Sequence, residues 1–173
     1  MEIHILTKEE KERYDGQILR MLNAGDEEFV PPLSTRNSTT QTDFVIVQGL
    51  TRGVLNYFRG LKQQKLLAAT ENDQLLGFVS FRENFTNQKI SKLPNIYIST
   101  VLVSPEARGR GITGKMYETL FAEYKGVSVF TRTWSTNAAH IRILEKLQFE
   151  TLCVLKNDRG QGIDTVYFQR AAK

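Results

Sequence analysis

The stretch Val101-Leu102-Val103-Ser104-Pro105-Glu106-Ala107-Arg108-Gly109-Arg110-Gly111-Ile112-Thr113-Gly114-Lys115 decides how this chain is read. An apolar, β-branched run that begins at Ile96 stops at Ser104-Pro105. A turn rich in arginine and glycine follows, and Met116, Leu120, Phe121 and Tyr124 then recur at helical spacing. A buried strand, a glycine-rich turn and a helix, in that order, expose the first N–H groups of the helix at its positive end. Glycine lets an anion approach the backbone, and Arg108 and Arg110 add charge. The turn from Arg108 to Gly114 therefore reads as a cradle for a phosphate or pyrophosphate. A nucleoside-triphosphate loop needs Ser or Thr after its lysine, and Lys115 is followed by Met116. Gly109, Gly111 and Gly114 do satisfy the G-x-G-x-x-G string. That string, however, belongs to a first βαβ unit, and here it follows strands that read as antiparallel.

Working outward, Ile3 to Leu6 predicts a strand, and Thr7 with Glu10 makes a capping box before a helix carrying Tyr14, Ile18, Met21 and Leu22. Residues 26–43, with Pro31-Pro32 and a run of hydroxyl side chains, predict a long loop. Val47, Leu50, Val54, Phe58 and Leu61 predict a second helix. Lys65 to Glu71 and Leu75 to Glu83 predict an antiparallel pair around the turn Asn72-Asp73, and Asn84 to Leu93 a polar connection to the central strand Ile96 to Val103. After the helix from about Gly111 to Lys125 come a strand at Val127 to Trp134 and a helix at Thr136 to Leu147. Strands at Phe149 to Leu155 and Thr165 to Arg170 close the chain, joined through the turn Asp158 to Gly162. The expected architecture is one α/β domain over residues 1–173, with a mixed sheet that is antiparallel at first and gains a parallel crossover around the helix at Gly111.

Composition narrows the function. The chain has 173 residues, 40% hydrophobic and 24% charged, which suits a folded domain with a sizeable core. One cysteine, Cys153, and two histidines, His4 and His140, exclude an internal disulfide and argue against a metal centre. Cys153 reads as a small buried hydrophobe rather than a nucleophile. Without a signal-like N-terminus or a long apolar run, the expectation is a cytoplasmic protein that does not enter a membrane. The net charge of +4 is mild and its basic residues are scattered, unlike the basic stripe of a nucleic-acid binder.

The segment Ser104 to Ile112 resembles the acyl-CoA-binding motif Q/R-x-x-G-x-G/A of the GCN5-related N-acetyltransferases. Asn137-Ala138-Ala139-His140-Ile141-Arg142-Ile143-Leu144-Glu145-Lys146-Leu147-Gln148-Phe149 resembles that family's second motif, an Asn followed by a helix ending in E-K-L-G-F. The resemblance extends over nearly the whole chain. It implies a sheet splayed beside the central strand, with acetyl-CoA as co-substrate in the slot. The pyrophosphate would lie on Arg108, Gly109, Arg110, Gly111, Ile112, Thr113 and Gly114, and the pantetheine arm along Val101, Leu102 and Val103 and against Asn137. A primary amine, from a small molecule or a peptide, would attack the thioester directly, its carbonyl polarised by the N–H of Val103 or Val101.

The sequence also departs from the pattern. Read from Arg108, the motif ends in Thr113 where Gly or Ala is expected, and read from Glu106, it starts with an acid where Gln or Arg is expected; Gln148 replaces a glycine, and Leu144 occupies the position of a tyrosine that protonates the leaving thiolate in many members. No acid lies between Asn95 and Ser104, so water, Glu83 or no group at all serves as base, with Tyr97, Ser99 and His140 as further catalytic candidates. By themselves these residues read more blandly: His140 as a surface histidine, Tyr97 as core, Glu83 as a strand-end charge. The acceptor is expected against Asp26 to Phe58. There Asp26-Glu27-Glu28 would draw a cationic amine or, more blandly, form a solvated helix end, and Phe29, Pro31, Pro32 and Phe44 would form an apolar pocket. A non-catalytic acyl-CoA sensor and a nucleic-acid-binding domain are the competing classes, and a homodimer is left open.

Overall fold

The computed structural model describes residues 1–42, 44 and 53–172. Seven strands form one sheet in the order β1-β2-β3-β4-β5-β7-β6: β1 (Glu2–Ile5), β2 (Lys65–Glu71), β3 (Gln74–Glu83), β4 (Asn95–Val103), β5 (Ser128–Trp134), β6 (Glu150–Leu155) and β7 (Thr165–Arg170). All neighbours are antiparallel except β4 and β5, which are joined by the crossover through α3 (Ile112–Glu123). The fold is thus the expected mixed sheet, mostly antiparallel and flanked by helices. Helix α1 (Lys8–Ala24) starts at the capping box: Glu10 N–H donates to Thr7 Oγ1 at 3.2 Å, and Thr7 N–H to Glu10 Oε2 at 2.8 Å. It buries Tyr14, Ile18 and Leu22, the face its spacing predicted. The second helix is described as α2 (Leu55–Lys62), and the expected positions Val47 and Leu50 lie outside the described residues.

Period-two alternation sends the side chains of the strands to opposite faces of the sheet, where they form two large clusters and a third, smaller one of Ile90, Tyr97, Phe130 and Tyr167. Leu67, Ala69, Val79, Phe81, Ile96 and Ile98 pack against α3 and α4 (Ala138–Lys146). Leu66, Ala68, Phe78 and Leu102 pack against α1 and α2. Along β4 the parity changes. Ile96 and Ile98 face α3, and so do Val101 and Val103. The register explains it: Phe81 opposes Ile98, but Ser80 opposes Thr100, so Ser99 is the extra residue of a β-bulge. The segment expected as a plain loop contains two 3₁₀ turns, Asp26–Glu28 and Leu33–Thr35. It is also packed rather than solvated: Leu33 and Arg36 are buried, because this segment covers the sheet beside α2.

Helix α4 ends in a Schellman motif, with Phe149 N–H bonded to Leu144 O and Gln148 N–H to Glu145 O, both at 3.0 Å. The motif requires a left-handed residue after the cap, and Gln148 has φ of 63°. The glycine missing from the expected pattern is thus missed at a position with a physical use for it. Relief of the left-handed strain outweighs the entropy of an added glycine, so Gln148→Gly should gain about 0.5–1 kcal/mol in urea denaturation. A loss of stability would contradict this account of the turn.

Candidate active site

The parallel pairing of β4 with β5 runs from Asn95 and Ser128 to Ile98 and Thr131, and stops there. Thr131 Oγ1 donates to Ile98 O at 3.1 Å at the last rung. Beyond it, Ser99 to Val103 and Arg132 to Trp134 diverge around a cavity of about 300 Å³. Ser104 N–H bonds Leu76 O at 2.8 Å, so antiparallel alternation turns Leu102 and Thr100 toward β3 and the main chain of Val101 and Val103 toward the gap. The bulge is pinned from behind by a buried polar chain. Ser99 Oγ donates to Gln64 Oε1 at 2.6 Å and lies 2.9 Å from Ser80 Oγ, and Gln64 Nε2 reaches Thr39 Oγ1.

At one end of the gap stands the glycine turn. Gly109 and Gly111 have φ of 78° and 71°, and a Cβ at either would meet no atom within 4 Å. They are glycines for their backbone conformation, not because protein crowds them, and the space over them is open. The backbone N–H groups of Gly109, Arg110, Gly111, Ile112, Thr113 and Gly114 donate to no acceptor among the described residues, and α3 has no side-chain cap. The arginines behave differently from expectation. Arg110 turns away to Glu71, at 2.9 and 3.1 Å, and does not line the cavity. Arg108 lines it, but its Nη2 is held by both oxygens of Glu28, at 2.9 and 2.8 Å. Ile112 sends its side chain into the core, so it and the glycines offer only backbone to a ligand. Val101, Leu102, Val103, Thr113 and Asn137 do line the cavity. Asn137 is committed locally: Oδ1 accepts His140 N–H at 3.3 Å as the cap of α4, and Nδ2 donates to Thr133 Oγ1 at 2.9 Å.

Among the catalytic candidates, Ser99 and His140 line the cavity, whereas Tyr97 and Glu83 do not. Tyr97 is 1% exposed and stacks on Phe85 at 4.4 Å. Burial pushes its hydroxyl up to about 12, so it is core. Glu83 lies where β4 and β5 are still paired. Lys65 at 2.6 Å and Tyr124 at 2.7 Å donate to it and hold its carboxyl below the usual range, which makes it a poor base. Leu144 is fully buried in the core facing α3. His140 is not a solvated surface residue: its Nε2 lies 2.9 Å from the hydroxyl of the buried Tyr117, and desolvation lowers its pKa to about 4. Cys153 is partly buried, as expected of a small hydrophobe, and burial raises its thiol.

Sequence reasoning missed the opposite wall. Arg36, Arg132 and Arg159 all line the cavity, with Phe29 and Trp134, whose rings lie 5.7 Å apart. Arg132 could have been found: it is the charged residue in the run Val129 to Trp134, on a strand buried in the sheet. Arg159 sits in a turn that offered no such signal. Of the acidic run, Glu28 lines the cavity but pairs with Arg108, and Asp26 Oδ1 accepts Ser34 N–H at 2.7 Å. Among the described residues, no group of three or more His, Cys, Asp or Glu is placed to hold a metal ion.

The depressed pKa of His140 has a consequence for stability. An unfolded histidine titrates at about 6.5, so between about 4 and 6.5 the unfolded chain binds the proton that the folded chain refuses, and acidification costs stability. The fall in melting temperature from pH 7 to pH 5 should be smaller in His140→Gln than in the parent. Equal falls would contradict the burial of this ring.

A family model described as the acetyltransferase (GNAT) family matches residues 35–149. A search of curated proteins finds no match. Among solved structures, yncA of Salmonella typhimurium, determined with its cofactor acetyl-CoA, superposes with a TM-score of 0.70 at 18% identity, over 99% of this chain and 94% of its own. The ribosomal-protein-alanine N-acetyltransferase of Brucella melitensis gives 0.64 at 19% identity, over 99% of both chains. The aminoglycoside 6'-N-acetyltransferase of Enterococcus faecium gives 0.65 at 12%, over 98% and 96%. At these identities the structures share the fold and do not choose an acceptor. The family match spans most of the chain, including the glycine turn and α4, and the chain belongs to the GNAT acetyltransferase family.

Proposed function

We propose that the chain transfers the acetyl group of acetyl-CoA to a primary amine by direct attack on the thioester. One observation carries this reading: the main chain of Val101 and the N–H of Val103, whose carbonyl accepts from Arg108 Nε at 3.3 Å, and the N–H groups of Gly109 to Gly114, unpartnered among the described residues, adjoin one cavity. The two sets of donors match the two chemistries of the cofactor. The turn suits a pyrophosphate, and the strand edge suits the amide groups of a pantetheine arm laid down as an added strand. Bound there, acetyl-CoA supplies an acetyl group already activated as a thioester.

The residues around it have limited but definite roles. The N–H of Val101 or Val103, fixed in the sheet, polarises the acetyl carbonyl and needs no reorganisation as charge develops on its oxygen. Ser99 spends its hydroxyl proton on Gln64, and His140, with a pKa of about 4, is neutral at pH 7. Leu144 offers no proton at all. None of Ser99, His140 and Leu144 is therefore set up to protonate the leaving thiolate, and with Glu83 outside the cavity the amine enters in its neutral form or loses its proton to water. A second reading, an acyl-CoA sensor without turnover, draws support from that same Leu144.

Acetyl-CoA with a panel of amines, followed by free thiol release beside calorimetric binding, separates the two. Turnover of at least one amine is expected, and binding with no thiol released from any of them would favour the sensor. In Gly111→Val a branched side chain would occupy the open space over a left-handed residue. The affinity for acetyl-CoA should fall by roughly tenfold or more in a variant with a native circular dichroism spectrum. Unchanged affinity would remove the turn from the binding site.

A further inference from the structure

Three arginines converge on the cavity from three separate places: Arg36 from the segment after α1, Arg132 from β5 and Arg159 from the turn between β6 and β7. Arg36 is 7% exposed and Arg159 4%. None of the three lies within 4.0 Å of a carboxylate among the described residues. Glu28, on the same cavity, gives both oxygens to Arg108. Asp158 takes its hydrogen bond from Thr165 Oγ1, at 2.5 Å. It attracts Arg132 and Arg159 only from beyond ion-pair distance, and the hydrogen-bond partners the arginines do have are neutral. Arg36 Nε and Nη2 donate to Pro31 O at 3.0 and 2.8 Å, Arg132 to Tyr167 OH at 3.1 Å and to Gln41 O, and Arg159 to Thr165 Oγ1 at 2.9 Å and Val30 O at 2.5 Å. The Tyr57 hydroxyl is a further neutral partner of Arg36, and Arg159 Nη2 donates to no acceptor among the described residues.

The three guanidinium carbons lie 5.4, 5.2 and 4.6 Å from the centre of the Phe44 ring. An aromatic face attracts a cation but carries no net charge. Buried charges are ordinarily paired, and clustered like charges raise the cost of each. If the only task were to fasten the carbonyls of Val30, Pro31 and Gln41, neutral donors would serve without that cost.

We propose that the acceptor is a small amine that also carries an anionic group, a carboxylate or a phosphoryl oxyanion, and that Arg36, Arg132 and Arg159 receive that anion. The guanidinium fork suits either oxyanion. Arg132 shares a face of β5 with Phe130 and reaches Tyr167, and Arg36 lies against Tyr57, whereas His140 touches Tyr117 in the core facing α3; the anion and the cofactor's pyrophosphate therefore have separate sites joined through the gap. Phe29 and Trp134 on the same wall suit an apolar body between amine and anion. Burial, then Arg36 and Arg132, lower the Arg159 guanidinium to about 9, a shift that a bound anion would reverse. The amine half of this proposal rests on the acetyl-transfer reading, and the anion half rests on the charges alone.

The test sets alanine, leucine, methionine and phenylalanine each beside its carboxamide and its decarboxylated amine, with two aminoalkylphosphonates, and reads thiol release from acetyl-CoA. For at least one member kcat/KM should exceed that of its uncharged counterparts by roughly 10- to 100-fold. Whether carboxylate or phosphonate leads names the anion. The carboxamides lose the ammonium proton more readily, so intrinsic reactivity favours them and a preference for the acid reports the site. Equal or better turnover of the amides or the plain amines overturns the proposal.

Calorimetry with the N-acetyl derivatives of the amino acids and phosphonates, which need no turnover, keeps the two readings apart. Binding of an N-acetylated acid or phosphonate, but not of an N-acetylated amide, should weaken roughly tenfold or more in Arg132→Gln with a native circular dichroism spectrum. That binding with no thiol released from any amine supports the arginine site and overturns acetyl transfer. Thiol released only from amines without an anion supports acetyl transfer and overturns the arginine site. If no anionic derivative binds and no anionic amine turns over, the arginines do no more than fasten the loop.

Discussion

The end of the β4–β5 ladder at Ile98 and Thr131 is the constraint on which the site depends. Two parallel strands that stayed paired to their ends would leave no cavity and would satisfy the main chain of Val101 and Val103 internally. The bulge at Ser99 is the local cause visible in the sheet. It bends β4 where the last rung is made, and it resets the alternation so that Val101 and Val103 still face α3 while Thr100 and Leu102 face α2. The buried chain of Thr39, Gln64, Ser99 and Ser80 holds the bulge from behind, and Tyr57 OH lies 2.7 Å from Thr100 Oγ1 beside it. Opening a sheet is costly because each orphaned N–H loses a partner. Here the orphans lie on one edge of one strand, next to a helix start that also lacks partners.

The gap divides the cavity by charge. One wall, from α3 and α4, offers backbone donors, Thr113, Asn137 and a neutral His140. The other, from the segment after α1, from β5 and from the β6–β7 turn, presents three cations and two aromatic rings. On the proposed reading the cofactor takes the first wall and the acceptor meets the second, which in this chain is basic.

Much of this was legible in the sequence, and the reasons differ by residue. The strands β2 and β7, the capping box of α1 and the helix start at Ile112 follow from local alternation and local hydrogen bonding. The glycine turn was legible because left-handed residues and a charged helix start leave a mark on composition. What was not legible depends on tertiary contact. Nothing around Ser99 announces an extra residue, since a bulge is defined only against its partner strand. Arg108 and Arg110 looked free for a phosphate, but Glu28 and Glu71, 80 and 39 residues away, pair with them. His140 read as solvent-exposed because its partner Tyr117 lies on another helix. The three arginines are 27 to 123 residues apart, and only the fold places them around one ring.

Amide hydrogen exchange with and without acetyl-CoA tests the central claim, that the cofactor completes the unpaired edge of β4 and the bare N-terminus of α3. Binding should slow exchange at Val101 or Val103 and within Gly109 to Gly114, with little change along β1, β2 and the paired half of β4. Protection confined to other segments, or saturating binding with no protection at the β4 edge, would contradict it.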